Sequence, residues 1–260
     1  MTGPIHRVHP AATGFDGVAD AYERARPDYP EAALRAVEDR LDLGPASVVV
    51  DLAAGTGKLT RAIRGTIGLR VIAVEPSPGM RREFVAAVPG VPILDGTAER
   101  IPLGDASVDA VAVGQAFHWF RGAEALTEIA RIVRPGGGLA LLWNQRDERV
   151  PWVRRFGDLL REVRESGVPS ARQDSWREAF GGRPEFGPLE VERLESLQPM
   201  DRDGLVDRAL SVSFVARLPP GERAALLERV RALARDDPDL RDRPRIEFPY
   251  VTELYWTQRR

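Results

Sequence analysis

Short apolar runs alternate with segments of helical spacing over the first half of the chain. Each run is rich in Val, Ile, Leu or Ala and ends in a polar residue, a proline or a glycine, which is typical of buried strands in a parallel sheet. Ala123–Val133 has helical spacing and is stopped by Arg134-Pro135-Gly136-Gly137-Gly138. Alternating strands and helices predict an α/β fold with a doubly wound, mostly parallel sheet. The first three predicted strands are Val48–Asp51, Leu69–Val74 and Val91–Leu94. The fourth starts at Ser107 and runs into the aromatic residues that end at Phe120, and the fifth is Leu139–Asn144.

The second half of the chain predicts a helical cap and two further strands. Residues 145–182 are rich in Arg, Glu and Trp and punctuated by Pro and Gly, so we expect helices that cover the sheet rather than a separate domain. Beyond them the apolar pattern predicts a strand, a helix, an amphipathic helix and a last strand, over Phe186–Gln198, Asp203–Val215, Glu222–Leu233 and Ile246–Trp256.

The first strand ends in a glycine-bearing turn after Asp51. Gly55 and Gly57 carry no Cβ and tolerate positive φ, so the backbone can approach a ligand closely. Nucleotides bind at the carboxyl ends of strands in such sheets. An acidic-x-Gly-x-Gly-x-Gly pattern fits this turn, with Ala53 in place of the first glycine.

Two other glycine-rich motifs fit the same turn less well. A P-loop is excluded, because Leu52 stands in the place of its first glycine and Leu59 in the place of its Ser or Thr. A dinucleotide-binding fingerprint lacks its third glycine, which is Lys58 here.

The second predicted strand also ends in an acidic residue, Glu75, which lies 24 positions beyond Asp51. This is near the ~20-residue spacing at which a carboxylate meets the ribose hydroxyls of a bound nucleoside. One ionised carboxylate accepts hydrogen bonds from both hydroxyls. The alternative is that Glu75 caps the following helix while Pro76 fixes the turn.

Composition agrees with a soluble enzyme. With 260 residues, 43% of them hydrophobic, the chain can bury a full core. The N-terminus has no signal-peptide core and no apolar run approaches the ~20 residues that span a bilayer, so we expect a cytoplasmic protein. The formal net charge of −2 gives no reason to expect nucleic acid. Zero cysteines exclude disulfides and thiolate chemistry.

No metal site is expected. Of the three histidines, His6 and His9 lie in a terminal segment, 1–14, that is predicted to be flexible, so their spacing is not interpreted as a chelating pair. The sequence shows no acidic cluster that demands magnesium.

Five motifs resemble, in this order, the small-molecule branch of the class I S-adenosylmethionine (SAM) methyltransferases, the ubiquinone-biosynthesis and trans-aconitate type. They are Asp51–Gly57, Ala73–Ser77, Gly96–Glu99, Gln115–Phe120 and Arg134–Gly137. The leader Phe15–Pro30 resembles the same group. The resemblance implies a Rossmann-like, seven-stranded sheet with an antiparallel last strand, in one domain over 15–260 with 145–182 as its cap.

The resemblance also implies which residues bind SAM and its product S-adenosylhomocysteine (SAH). An arginine over the methionine carboxylate would give a charge-assisted hydrogen bond, although Arg26 can equally be a surface residue of a helix. The implied contacts are Asp51, Ala53, Gly55 and Gly57 around the methionine part, Glu75 at the ribose, Pro76 and Met80 on the adenine, Thr97, Ala98 and Glu99 at its polar edge, Gln115 and Ala116 near the sulfonium, and Tyr22 and Arg26 over the methionine carboxylate.

Methyl transfer from a sulfonium is an in-line displacement, which depends on alignment in a water-poor pocket. A general base is needed only if the acceptor arrives protonated. The candidate is His118, because an imidazole can take a proton near neutral pH. The alternative is that His118 donates a structural hydrogen bond while Trp119 and Phe120 form the pocket wall.

The expected acceptor is a small molecule, with oxygen favoured as the methylated atom over carbon or nitrogen. Enzymes that methylate amino groups of nucleic acids carry an Asn/Asp-Pro-Pro-aromatic turn after the fourth strand, where this chain has Gly114-Gln115-Ala116-Phe117. For each aromatic residue, core packing is the alternative to a substrate contact. The candidate contacts are His118, Trp119, Phe120, Trp143 and Phe214, with Trp152, Phe156 and Trp176 as further aromatics and Arg146, Arg149 and Arg217 for a carboxylate.

Two other functions stay open at this point. A nicotinamide-dependent oxidoreductase on a related sheet would bind NAD, and the missing glycine at Lys58 disfavours it. A non-catalytic SAM-binding module would bind SAM and turn over no acceptor. Neither nucleic acid nor a membrane is expected as a partner, and the chain is expected to be a monomer or a homodimer.

Overall fold

The computed structural model describes residues 26–164 and 174–260 of the chain. Within them, seven strands form one sheet in the order β3-β2-β1-β4-β5-β7-β6. The strands are β1 Val48–Leu52, β2 Arg70–Val74, β3 Ile93–Leu94, β4 Val108–Gly114, β5 Val133–Arg146, β6 Glu190–Met200 and β7 Ile246–Gln258.

Strands β1 to β5 are parallel, and β7 runs against them. The direction of β7 follows from its hydrogen bonds: Arg259 donates to Gly137 near the start of β5, whereas Asp147, just after β5, donates to Pro249. As the residue number rises along β5, it falls along β7. The predicted doubly wound sheet with an antiparallel last strand is therefore confirmed.

Eight α-helices and two short 3-10 helices are present in the described residues. The 3-10 helices are Phe117–Trp119 and Asp174–Phe180. The α-helices are α1 Glu31–Arg40, α2 Lys58–Thr66, α3 Pro78–Ala87, α4 Gly122–Ile132, α5 Pro151–Glu162, α6 Arg202–Leu210, α7 Ser213–Ala216 and α8 Pro220–Asp236. No helix of these two described ranges has an apolar stretch long enough to cross a membrane.

Strand β1 shows why the apolar runs have no alternation. Val50 packs into a core cluster that includes Ile129 of α4, whereas its neighbour Val49 packs into a second cluster that includes Ile63 of α2. Successive side chains of a strand point to opposite faces of the sheet. Because both faces of this parallel sheet are covered, every position of the strand can be apolar.

The described chain divides into two compact units. The sheet unit consists of 28–145, 174–196 and 250–260, and the helical unit of 26–27, 146–164 and 197–249. In the helical unit, α5 and α6 pack against α8. Its core includes Trp152 and Phe156, whose rings meet the ring of Phe248 edge-on at 5.0 and 5.5 Å.

The structure corrects several predicted element bounds. The fifth strand is longer than predicted, because β5 begins at Val133, directly after α4, and includes Arg134–Gly138, the run that was expected only to end the helix. The third strand is only Ile93–Leu94, and the helix predicted over 203–215 is two helices, α6 and α7. The predicted cap is divided, since 146–164 belongs to the helical unit and 174–182 to the sheet unit. The single-domain description over 15–260 stays a prediction.

Candidate functional site

The carboxyl ends of four neighbouring strands lie at one edge of the sheet. Parallel strands end on the same side, so the turn after β1 lies on the same side of the sheet as Glu75 after β2, Gln115 after β4 and Asn144 near the end of β5. All of these residues belong to the sheet unit. This edge holds most of the residues that the sequence predicted as a nucleoside site.

The turn after β1 is built from left-handed backbone. Ala53, Gly55 and Gly57 have φ of 59°, 57° and 85°. A side chain in place of the Gly57 hydrogen would put its Cβ 2.8 Å from the Phe84 ring, so this glycine lets α3 pack closely. At Gly55 a Cβ would meet nothing within 4 Å. The backbone at Gly55 therefore borders open space that a ligand can enter.

Ala53, which departs from the glycine pattern, has the left-handed backbone that normally favours glycine. A left-handed backbone costs a non-glycine residue roughly 1–2 kcal/mol. The Ala53 amide donates to the Val74 carbonyl at 2.8 Å, which holds the turn against the end of β2. Alanine therefore occupies the glycine position at a cost that the neighbouring hydrogen bonds offset.

Glu75 is buried and joins the ends of β1 and β2. Its carboxylate accepts hydrogen bonds from the Gly55 amide at 3.0 Å and the Ser77 amide at 2.9 Å. Burial raises the pKa of Glu75, against these two bonds and the attraction of Arg81. The helix cap is Ser77, whose hydroxyl accepts from the Met80 amide at 3.3 Å, so Glu75 does not cap α3.

Asp51 is fully buried at the end of β1. Its carboxylate accepts a hydrogen bond of 2.6 Å from the hydroxyl of Thr60 on α2. Burial raises the pKa of Asp51 to about 7; the bond from Thr60 lowers it, and the charge of Glu75 raises it slightly. The carboxylate thus anchors β1 to α2, and the backbone of the following turn is the part that can meet a ligand.

The predicted adenine contacts separate into distinct environments. Pro76 and Met80 are partly exposed, whereas Ala98 is buried in the core. The hydroxyl oxygen of Thr97 is buried and has no hydrogen-bond partner. Glu99 accepts a 2.9 Å hydrogen bond from the amide of Arg121, at the start of α4. Thr97 therefore offers an unused polar group, while Glu99 has a structural task beside any cofactor role.

Gln115 and Ala116 follow β4 directly. Gln115 is another non-glycine residue with positive φ, 60°, and its amide donates to the Leu142 carbonyl of β5 at 2.9 Å. Residues in this region of backbone space cluster at functional sites. Left-handed turns thus follow both β1 and β4.

Asn144 is a site residue that the sequence reasoning missed. Its amide nitrogen donates to the Asp28 carbonyl at 3.2 Å, and its amide oxygen accepts from the Thr252 hydroxyl at 2.7 Å. Its backbone carbonyl accepts from the Gln115 side chain at 3.4 Å. Asn144 had the same signal as Asp51, a polar residue at the end of an apolar run.

The leader residues Asp28 and Tyr29 also reach this edge of the sheet unit. Asp28 makes an ion pair of 2.9 Å with Lys58, the residue that stands in place of the third glycine of a dinucleotide-binding fingerprint. A side chain at Gly114 would collide with the Tyr29 hydroxyl, which explains the glycine at the end of β4. Asp28 and Tyr29 therefore pack against residues at the ends of β1, β4 and β5.

His118 lies in the 3-10 helix after β4 and meets Trp143. The indole Nε1 of Trp143 donates to His118 Nδ1 at 3.4 Å. Trp143 itself is 1% exposed and contacts the ring of Trp176 at 4.5 Å between ring centroids, so it is a core residue rather than part of an open wall. Trp119 and Phe120 are partly exposed beside His118.

The remaining candidates either belong to the helical unit or lie outside the described residues. Tyr22 lies outside the described residues, as do His6 and His9. In the helical unit, Arg26 donates to the Ser211 carbonyl at 3.2 Å, and Phe214 is partly exposed. Of the carboxylate candidates, Arg149 pairs with Asp147 at 2.7 Å and Arg146 with Glu148 at 3.8 Å, whereas Arg217 is exposed.

The sheet edge fits a nucleoside cofactor. Each oxygen of the Glu75 carboxylate accepts one amide and has a second lone pair for a ribose hydroxyl. The open space at Gly55 and the partnerless Thr97 hydroxyl supply room and a further polar contact. These observations concern the sheet unit alone.

The chain is similar to known methyltransferases. A family model described as a methyltransferase domain matches residues 50–141. An uncharacterised methyltransferase of Mycobacterium tuberculosis is 40% identical over 238 residues, which cover 92% of each chain. An uncharacterised methyltransferase of Schizosaccharomyces pombe is 35% identical over 242 residues, 93% of this chain and 95% of the relative.

Solved structures agree with the fold. The crystal structure of a proposed methyltransferase of Anabaena variabilis superposes with a TM-score of 0.62 at 25% identity, and the match covers 89% of this chain and 98% of that one.

Proposed function

The chain belongs to the class I SAM-dependent methyltransferases, and we propose that it transfers the methyl group of SAM to an oxygen atom of a small molecule. Family membership argues against the oxidoreductase alternative and against NAD as its cofactor. We propose that the reaction takes place in the cytoplasm and that SAM occupies the edge of the sheet formed by the ends of β1, β2 and β4.

The observation that carries the cofactor proposal is the pairing of Gly55 with Glu75. The Gly55 amide and the Glu75 carboxylate meet at 3.0 Å, beside a position where a Cβ would meet nothing. A buried carboxylate at the end of β2 is placed to accept both ribose hydroxyls. The Thr97 hydroxyl is a further candidate partner for a polar atom of the adenine.

Bound SAM supplies an electrophilic methyl group on a sulfonium. The chain's own residues bind and orient the cofactor: Glu75 would hold the ribose, and the backbone from Ala53 to Gly57 would hold the methionine part. Much of the rate of such a displacement comes from alignment and exclusion of water.

Two features support a small-molecule acceptor. The turn after β4 is Gly114-Gln115-Ala116-Phe117, which lacks the proline pair of enzymes that methylate nucleic-acid amino groups. The net charge of −2 gives no attraction for phosphate backbones. Oxygen is favoured because the partly exposed polar side chain beside the aromatic wall is His118, which can hydrogen-bond an oxygen.

The proposal is tested with SAM labelled with ¹³C in its methyl group. The protein is incubated with a panel of small carboxylic acids, phenols, amines and activated-methylene compounds, and the ¹³C shift of the product identifies the methylated atom. Labelled O-methyl product formed by the wild type and lost in Glu75→Gln supports the proposal. Product methylated only on nitrogen or carbon overturns the oxygen assignment, and label transferred only to a nucleic acid or protein control overturns the small-molecule assignment.

A further inference from the structure

Trp143 and His118 form a hydrogen bond whose direction is fixed by chemistry. An indole nitrogen carries a hydrogen and can only donate, so His118 Nδ1 accepts the bond of 3.4 Å and carries no proton. In a neutral imidazole the proton is then on Nε2. The position of Trp143 therefore specifies one of the two tautomers of His118.

Trp143 is held rigidly enough to impose this choice. Its side chain is fully buried on β5, in contact with the ring of Trp176 at 4.5 Å between centroids, with the two rings tilted by 37°, and edge-on to Tyr255 at 5.6 Å. Turning the indole away from His118 would leave a buried N–H without a partner, which costs about 1–3 kcal/mol. The imidazole adapts to the indole rather than the reverse.

We propose that Trp143 is a positioning residue that makes His118 a hydrogen-bond donor, through Nε2, and not a general base. The proposal rests on the proposed function for its consequence: the acceptor oxygen beside His118 presents a lone pair. A neutral hydroxyl also has lone pairs, but it would need a base to take its proton. Since His118 is not that base, the acceptor oxygen is one that is already ionised when it binds, as in a carboxylate or a phenolate, and no proton has to move to His118.

A neutral hydroxyl acceptor would need the opposite arrangement. Its proton would have to pass to an unprotonated imidazole nitrogen, but Nε2 already carries a hydrogen and Nδ1 faces the indole N–H. The same structure that makes His118 a good donor therefore makes it a poor base. His118 and Trp143 both belong to the sheet unit.

The tautomer is measured directly by two-bond ¹H–¹⁵N correlation on protein labelled with ¹⁵N-histidine, at pH 8. The chain has three histidines, so the signal lost in His118→Gln assigns the site. We expect His118 with a protonated Nε2 and a bare Nδ1, and a shift toward mixed tautomers in Trp143→Phe. Trp176→Phe, which alters the same aromatic cluster and keeps the Trp143 indole, should retain the wild-type pattern. A protonated Nδ1, or an unchanged pattern in Trp143→Phe, overturns the proposal.

A second measurement does not depend on the folding of Trp143→Phe. In His118→Ala the indole Nε1–H resonance of Trp143, one of five in the chain, should move upfield and exchange faster with water. Unchanged indole resonances overturn the hydrogen bond on which the inference stands.

Kinetics with the acceptor identified by the ¹³C assay test the consequence. A donor role predicts that His118→Gln, which keeps an N–H near the position of Nε2, stays within about tenfold of the wild-type kcat/KM, whereas His118→Ala loses more, mainly through KM. A base role predicts that both variants lose kcat alike, by about 10²–10⁴-fold, and that result overturns the proposal. Absence of turnover with any acceptor would refute the proposed function and leave the two NMR results to decide the tautomer.

Discussion

The Glu75 carboxylate accepts a 3.0 Å hydrogen bond from the Gly55 amide and so joins the end of β2 to the glycine turn after β1. This bond brings together the acidic residue and the glycine that the sequence singled out 20 positions apart. It also places a buried carboxylate beside the open space over Gly55.

Replacing Glu75 by Gln should weaken SAH binding by at least about tenfold, since a hydrogen bond to a charged group contributes about 1.5–3 kcal/mol. Calorimetric titration measures the change. Glu83→Gln is the control, because Glu83 is an exposed carboxylate on α3 and makes the same change of charge. Equal SAH affinities of the two variants would show that Glu75 does not bind the ribose.

Replacing each of the two glycines of the turn should change SAH affinity and stability to different extents. Gly55→Ala places a Cβ in open space at positive φ, so we expect a stability loss of about 1–2 kcal/mol and a marked loss of SAH affinity. Gly57→Ala drives a Cβ into Phe84 and Val88, and we expect a larger loss, about 2–5 kcal/mol. Urea unfolding and SAH titration of both variants check this.

Gly90→Ala is the matched control for Gly55→Ala. It has the same left-handed backbone, φ 79°, and open space around the added Cβ, in the turn after α3. A similar stability loss with unchanged SAH affinity is expected. If Gly55→Ala also binds SAH normally, the open space at Gly55 is not part of the cofactor site.

Asp51→Asn should change how stability depends on pH. Burial raises the pKa of Asp51 to about 7 in the folded protein, whereas an unfolded aspartate titrates near about 3.9. Between these values the folded state holds a proton that the unfolded state has lost, so this carboxyl stabilises the fold below about pH 4 and that contribution disappears as pH rises through about 7.

The asparagine variant has no such titration. The free energy of unfolding of Asp51→Asn relative to the wild type should therefore rise between pH 4 and pH 8, by up to about 4 kcal/mol. Urea unfolding at several pH values measures it, with Asp242→Asn as the control because that side chain is 85% exposed. A difference that does not vary with pH would show that Asp51 is ionised throughout.

Ala53→Gly should stabilise the protein. Glycine removes the roughly 1–2 kcal/mol cost of the left-handed backbone at Ala53, less about 0.4–1 kcal/mol for the freer unfolded chain, so a net gain of about 0.5–1 kcal/mol is expected. Ala54→Gly, next in the chain without positive φ and nearly buried, should instead lose about 1 kcal/mol. Thermal unfolding of the two variants decides, and a loss in both would contradict the strain at Ala53.

Local pattern was enough to locate β1 and β2 and to single out the acidic residue with which each apolar run ends. Strand β2 and its terminal Glu75 follow from a β-branched run that stops at an acidic residue and a proline. The early start of β5 was not predicted because glycine and proline are turn signals, whereas Arg134–Gly138 extends β5 beside β7 and Gly136 takes the positive φ. Pairing with a distant strand is not visible in local sequence.

The burial of individual side chains and the partners that they contact could not be predicted from the sequence either. Trp143 and Phe120 have similar sequence signals, yet only Trp143 is enclosed, by Trp176 and Tyr255 from distant parts of the chain. Nothing in the local sequence distinguishes Thr60, yet the position of α2 places its hydroxyl 2.6 Å from the Asp51 carboxylate. Such partners depend on the packing of elements, which no periodicity encodes.

The sheet edge at Gly55 and Glu75 is the proposed binding site of the adenosyl cofactor. Calorimetric titration of the purified protein with SAH, with NAD as the parallel ligand, measures this binding. We expect micromolar binding of SAH with a stoichiometry of about one and no heat with NAD. Absence of SAH binding by protein that circular dichroism shows to be folded would contradict the proposal.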